Sequence, residues 1–227
     1  MQPVERIEGI AAPLLRDHID TDVIIPSRDI TSPAREGFGA KLFAPWRYLA
    51  PGGPENPDFV LNREPWRRAA ILIAGHNFGC GSSREMAVWA LVQFGIRSVV
   101  APSFGAIFRD NCVRNGLLPV ALPAATVAAL AATAQAQPAG WCVDLRACTL
   151  RTPDGTLHAF AFDAHEREQL LAGLDAIDLT WQQRTQIEAF EAADRLRRPW
   201  IWADDRAAWA AGGPPTPHPS DSPREAP

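Results

Sequence analysis

No run of eighteen apolar residues occurs anywhere in the chain, so no segment is long enough to cross a bilayer as a helix. The opening Met1-Gln2-Pro3-Val4-Glu5-Arg6 has neither the charged-then-apolar layout of a signal peptide nor an arginine-rich transit pattern, and the expected location is cytoplasmic. Basic excess is also missing: a net charge of −4 and a pI near 5.7 give no footprint for nucleic acid. The four cysteines, at 80, 112, 142 and 148, form no C-x-x-C pair and no zinc-spaced group. Cys112, Cys142 and Cys148 read as packed reduced thiols. Histidines 18, 76, 158, 165 and 218 are equally scattered, and only His76 borders a candidate site. What remains is ordinary for a soluble globular protein: 227 residues, 47% apolar and 21% charged.

Against this background the stretch Gly75-His76-Asn77-Phe78-Gly79-Cys80-Gly81-Ser82-Ser83-Arg84-Glu85 stands out. It follows Ala69-Ala70-Ile71-Leu72-Ile73-Ala74, a continuous apolar run that predicts a strand buried on both faces. Ser82 and Glu85 stand in the S-x-x-E relation of a capping box, and Met86, Val88, Trp89, Leu91, Val92 and Phe94 continue a helix that should stop near Gly95. A helix N-terminus offers unpaired N–H donors and partial positive charge, to which Arg84 adds a planar fork that can grip a carboxylate. An organic acid is the expected ligand. No third glycine completes a dinucleotide fingerprint, no lysine completes a P-loop, and the order Gly81-Ser82 excludes a Gly-x-Ser-x-Gly elbow. Cys80, close to that N-terminus, is expected to have a stabilised thiolate.

Further along, Arg97–Ala101 reads as a strand, Phe104–Asn115 as a helix ended by Gly116, and 117–120 as another strand, which argues for β-α-β units. Pro123–Gln137 predicts an alanine-rich helix. Residues 141–151 and 156–162 flank Thr152-Pro153-Asp154-Gly155 and should form an antiparallel hairpin. Helices follow over Asp163–Gly173 and from Trp181 to about Arg197. Residues 27–68, rich in proline, glycine and arginine, predict a long excursion over the site that orders when a partner or substrate docks. Residues 1–210 are expected to form one domain and 211–227 a disordered tail.

Three motifs give the chain a resemblance to a known family: Asp20-Thr21-Asp22-Val23-Ile24-Ile25-Pro26; Asn77 through Glu85; and Ser103-Phe104-Gly105-Ala106-Ile107-Phe108 with Asn111 and Asn115-Gly116-Leu117-Leu118-Pro119-Val120. Together with Gly37–Phe43 and Asn56–Asn62 they resemble the small subunit of 3-isopropylmalate dehydratase, the counterpart of the swivelling C-terminal domain of the aconitase superfamily. The resemblance spans about residues 5 to 200. It implies an α/β swivelling domain with a mostly parallel sheet, crossover helices and an antiparallel hairpin. It also implies a hydro-lyase, active only as a heterodimer or larger assembly with a large subunit whose cysteines carry a [4Fe–4S] cluster. This chain itself would bind no metal. Ser82 would be the catalytic base and Arg84 its electrostatic support and carboxylate clamp, while Ser83 and the Gly81 amide would bind substrate. For a second carboxylate the loop after Pro26 offers Arg28 and Arg35, with Arg35 preferred, and residues 27–36 would read the substrate's side chain. Asp20 and Asp22 read as turn residues or supports for the site. The family's usual histidine after Arg-Glu is replaced here by Met86, which keeps open a related diacid such as dimethylmalate, citraconate or homoaconitate. A paralogue that binds organic acids without catalysis is a third reading.

Overall fold

The computed structural model describes residues 1–30 and 35–202; the tail expected over 211–227 lies outside the described residues. By packing, the chain divides into Met1–Ile177 and the residues from Asp178 onward, where the sequence reading has one domain to residue 210. The first unit is built on a seven-stranded sheet of order β4-β3-β2-β1-β5-β6-β7. In chain order its elements are β1 (Arg6–Leu14), short helices α1 (Thr21–Ile24) and α2 (Ala44–Arg47), β2 (Ala69–Ala74), α3 (Glu85–Phe94), β3 (Ser98–Ala101), α4 (Ala106–Arg114), β4 (Leu118–Ala121), α5 (Ala124–Ala136), β5 (Trp141–Asp144), β6 (Thr149–Arg151), β7 (Leu157–Ala159) and α6 (Ala164–Ala172). Helix α7 (Ala176–Gln182) runs across the boundary, and α8 (Arg184–Arg197) belongs to the second unit.

Strand β1, unassigned in the sequence reading, joins the two halves of the sheet. Its C-terminal part pairs parallel with β2, and its first residues, Arg6 to Gly9, pair antiparallel with β5. Beyond β2 the sheet continues parallel through β3 and β4. Alternation along β2 explains why the run is apolar throughout. Leu72 and Ala74 face one core with Leu14, Val99 and α3, whereas Ile71 and Ile73 face the other with Val100, Val120 and Leu130 of α5.

Two sequence expectations change. The stretch 141–151 is not one strand: Asp144 Oδ1 accepts from the Ala147 amide at 2.8 Å, Cys148 takes a φ of +50°, and the chain reverses. Strands β5, β6 and β7 therefore form a three-stranded meander. The second change concerns the excursion, whose described part is already folded within this chain. Phe43 stacks on Trp46 at 5.8 Å between ring centroids and packs against Phe59, and Phe38, Leu42 and Leu61 join the same core as α3. Buried Arg47 donates from Nε to Asn62 Oδ1 (3.2 Å) and from Nη1 to Gly39 O (3.1 Å), while Asn62 Nδ2 donates to Arg47 O at 2.7 Å. Aromatic burial and paired polar groups hold the described part of this segment against the rest of the chain.

No helix of the described residues is long and apolar enough to cross a membrane.

Candidate functional site

The chain leaves β2 at Gly75 and runs as an irregular turn to Arg84, stitched between two other segments. On one side the Gly79 amide donates to Ile19 O (2.7 Å), the Thr21 amide to Cys80 O (3.0 Å), and Thr21 Oγ1 to Ser82 O (2.7 Å). On the other, the Asn77 amide donates to Ser103 Oγ (2.9 Å), the Phe78 amide to Ser103 O (3.0 Å), and the Gly105 amide to Phe78 O (2.9 Å). Gly79 is required twice over. Its φ is +74°, and a Cβ there would lie 2.1 Å from Cγ of the Phe108 ring.

Helix α3 begins at Glu85, with extended Arg84 as its uncapped N-cap. This corrects the capping-box expectation: Ser82 does not cap, and the Glu85 carboxylate accepts instead from Asn115 Nδ2 at 2.9 Å. Ser82 and Ser83 are exposed, and neither hydroxyl nor amide donates to another described residue. Their donors are free to meet a ligand.

Gly79 through Arg84 form one wall of a cleft of about 240 Å³, and Thr21 with Gly105 to Phe108 completes it. The second wall is the start of α4, whose N-cap Gly105 supplies no side-chain cap, so a second set of helix amides opens on the same space. Sequence reasoning did not place Thr21 or this helix start in the site, although both lie within motifs that it quoted. Arg84 is largely covered, with its side chain 15% exposed. Its Nη1 comes to 2.5 Å from Asp22 Oδ1, an ion pair whose alignment falls short of a directed hydrogen bond. The same guanidinium holds the Asp22 carboxyl below the ordinary carboxylate range. The Asp20-Thr21-Asp22 motif thus has three tasks. Asp20 accepts from the Val23 amide at 2.7 Å and starts α1, Thr21 pins the Ser82 carbonyl, and Asp22 faces Arg84.

The Cys80 expectation reverses. Burial and the neighbouring Asp20 carboxylate push its thiol up rather than down. Exposed His76 contributes its amide to Asp17 Oδ1 (2.7 Å). Met86, the second residue of α3, is half buried and packs on the core, a suitable use of a flexible thioether.

Of the six candidate residues, the structure brings together Gly81, Ser82, Ser83 and Arg84. It does not bring Arg28 or Arg35 into that cleft. Arg28 lines a separate cavity of about 510 Å³ with Asp29, Lys41 and Tyr48. Arg35 lies over the Trp89 ring, 4.7 Å from its centroid, because Gln93 grips the neighbouring backbone: its Nε2 donates to Arg35 O at 2.5 Å and its Oε1 accepts from the Phe38 amide at 2.8 Å. Among the described residues no group of three or more His, Cys, Asp or Glu could hold a metal ion.

Comparison with known proteins agrees with this architecture. Residues 1–125 match the model of the aconitase C-terminal domain, which sets the class: an aconitase-type C-terminal domain with its glycine-rich turn at the end of β2. Over 208 residues the chain is 56% identical to the 3-isopropylmalate dehydratase small subunit of Cupriavidus necator, covering 90% of this chain and 100% of that one. It is 48% identical over 202 residues to the small subunit from Rhodospirillum rubrum, covering 88% and 97%. A crystal structure of 3-isopropylmalate dehydratase from Methanocaldococcus jannaschii superposes with a TM-score of 0.59 at 26% identity, covering 81% of this chain and 99% of that chain. The chain belongs to the 3-isopropylmalate dehydratase small-subunit family.

Proposed function

We propose that this chain is the small subunit of a heteromeric hydro-lyase that interconverts 2-isopropylmalate and 3-isopropylmalate through 2-isopropylmaleate in leucine biosynthesis, working in the cytoplasm with a cluster-bearing large subunit. The observation that carries the reading is the cleft itself. The uncapped start of α4, two exposed serines and a covered arginine at the N-cap of α3 line one small space, within a chain whose relatives bear that name along nearly their whole length.

The large subunit's cluster supplies the Lewis acid that loosens the substrate hydroxyl. The residues of this chain hold and deprotonate the acid. Arg84 meets a substrate carboxylate with a fork of N–H donors, and Ser83 with the amides of Gly81 to Ser83 surrounds the same group. Ser82 Oγ removes the proton from the carbon beside that carboxylate. A serine hydroxyl is almost never ionised near neutrality, so its alkoxide depends on Arg84 and the start of α4. Asp22 shares Arg84 with the ligand and keeps the guanidinium directed at the cleft.

Mixing tests the assignment. The isolated chain should not turn over 3-isopropylmalate, and adding a cluster-loaded large subunit should produce the isomerisation. Robust turnover by this chain alone, or a pair that prefers dimethylmalate, citraconate or homoaconitate, would overturn it.

A further inference from the structure

Ser82 and Glu85 are spaced so that a first-turn glutamate can fold back onto the amide of the residue three before it. In the folded chain that carboxylate is drawn sideways instead. Glu85 Oε1 accepts from Asn115 Nδ2 at 2.9 Å, Nδ2 also donates to Asn111 O at 2.8 Å, and Asn115 Oδ1 accepts from Trp89 Nε1 at 2.9 Å. The orientation of the Asn115 amide is unambiguous. An indole N–H can only donate, whereas a carboxylate and a carbonyl can only accept. Asn115, which ends α4, therefore fixes the first side chain of α3.

We propose that Asn115 is a positioning residue for the anion pocket: by holding Glu85 against α4 it keeps a competing carboxylate off the Ser82 and Ser83 amides and away from Arg84. The inference rests on reading the cleft as a carboxylate site. Glu85 adjoins Arg84 in sequence, so once released it would be present at an effective concentration no free metabolite reaches. It would also repel a bound diacid. Asn115 reaches the pocket through Glu85 and does not itself line it, so its loss should weaken binding and leave the chemical step nearly intact.

An exchange of donor and acceptor tests this in the complex reconstituted with the large subunit, using calorimetry with malate as the probe and turnover of 3-isopropylmalate. Asn115→Asp retains the acceptor for Trp89 but sets a carboxylate against Glu85. The expected result is about tenfold weaker malate binding and a KM raised similarly, with kcat within about twofold. Adding Glu85→Gln restores a donor–acceptor pair at unchanged net charge, and affinity should return to within about threefold of the parent. Unchanged affinity in Asn115→Asp, or a double variant binding no better than the single one, would sink the proposal. Should Asn115→Asp fail to fold, Glu85→Asp replaces it. That shorter acid cannot reach Asn115 yet stays beside Arg84, so about tenfold weaker binding is expected, and equal binding overturns the proposal. A parent complex that binds malate but does not isomerise 3-isopropylmalate defeats the functional assignment and leaves this inference standing. One that binds no dicarboxylate defeats both.

Discussion

The turn over residues 75–84 and the excursion over 35–68 both leave the sheet for irregular backbone, yet they use their side chains differently. In the turn, backbone amides and carbonyls dock against residues 16–21 and 103–105, and Asn77, Gly79 and Gly81 adopt positive φ. Phe78 anchors the turn in the core, whereas Ser82 and Ser83 are exposed, so their hydroxyls stay available. In the excursion, buried aromatic rings and the Arg47–Asn62 pair fix the path together with local main-chain bonds such as Asn56 N–H to Arg47 O. A turn held by backbone can present side chains to a ligand; a segment held by side chains cannot give them up. The cleft that gathers Ser82, Ser83 and Arg84 sits at the turn.

Substitutions should separate the two regimes. Ser82→Ala in the reconstituted enzyme should lower kcat about 1000-fold while changing the unfolding free energy by less than about 0.5 kcal/mol. A matching loss of stability would mean that the turn also relies on its side chains. Gly79→Ala should destabilise the chain by about 4 kcal/mol, because a methyl group meets the Phe108 ring and the φ is unfavourable. Urea unfolding measures it, and a change below about 1 kcal/mol would remove the backbone argument. In the excursion, Phe43→Ala should cost about 4 kcal/mol in the same assay through its lost contacts with Trp46 and Phe59. The least effect is expected from Asp22→Asn. Arg84 lowers the Asp22 carboxyl in the folded state, so the stabilisation is complete above the ordinary carboxylate value and disappears as pH falls through the lowered one. Half-exposed Asp22 makes this small, and the variant should flatten the acid limb of stability only below about pH 4. A change near neutrality would contradict that assignment.

Much of the parallel half was legible because its signals are local. Apolar runs of four to six residues became β2, β3 and β4, Gly95 ended α3, and Asp163 with Gly173 bounded α6. Strand β1 escaped notice because Gly9 and Pro13 interrupt its pattern, and its partners lie some sixty and one hundred and thirty residues away. The turn within 141–151 was hidden for a related reason: Cys148 adopts a left-handed backbone without a glycine to announce it.

The sequence by itself determined that Ala69–Ala74 would be buried on both faces, that a glycine-rich turn would follow, and that Ser82 and Arg84 would stand together, since near neighbours in a chain cannot be far apart in space. Only the tertiary structure decided that Glu85 turns to Asn115 rather than to Ser82, that Arg35 rests on Trp89 instead of reaching the cleft, and that the start of α4 supplies the second wall. Each of those choices is a competition between partners tens of residues apart. Local propensity ranks none of them; the winner is the partner that packing has already brought within hydrogen-bonding or ring-stacking distance.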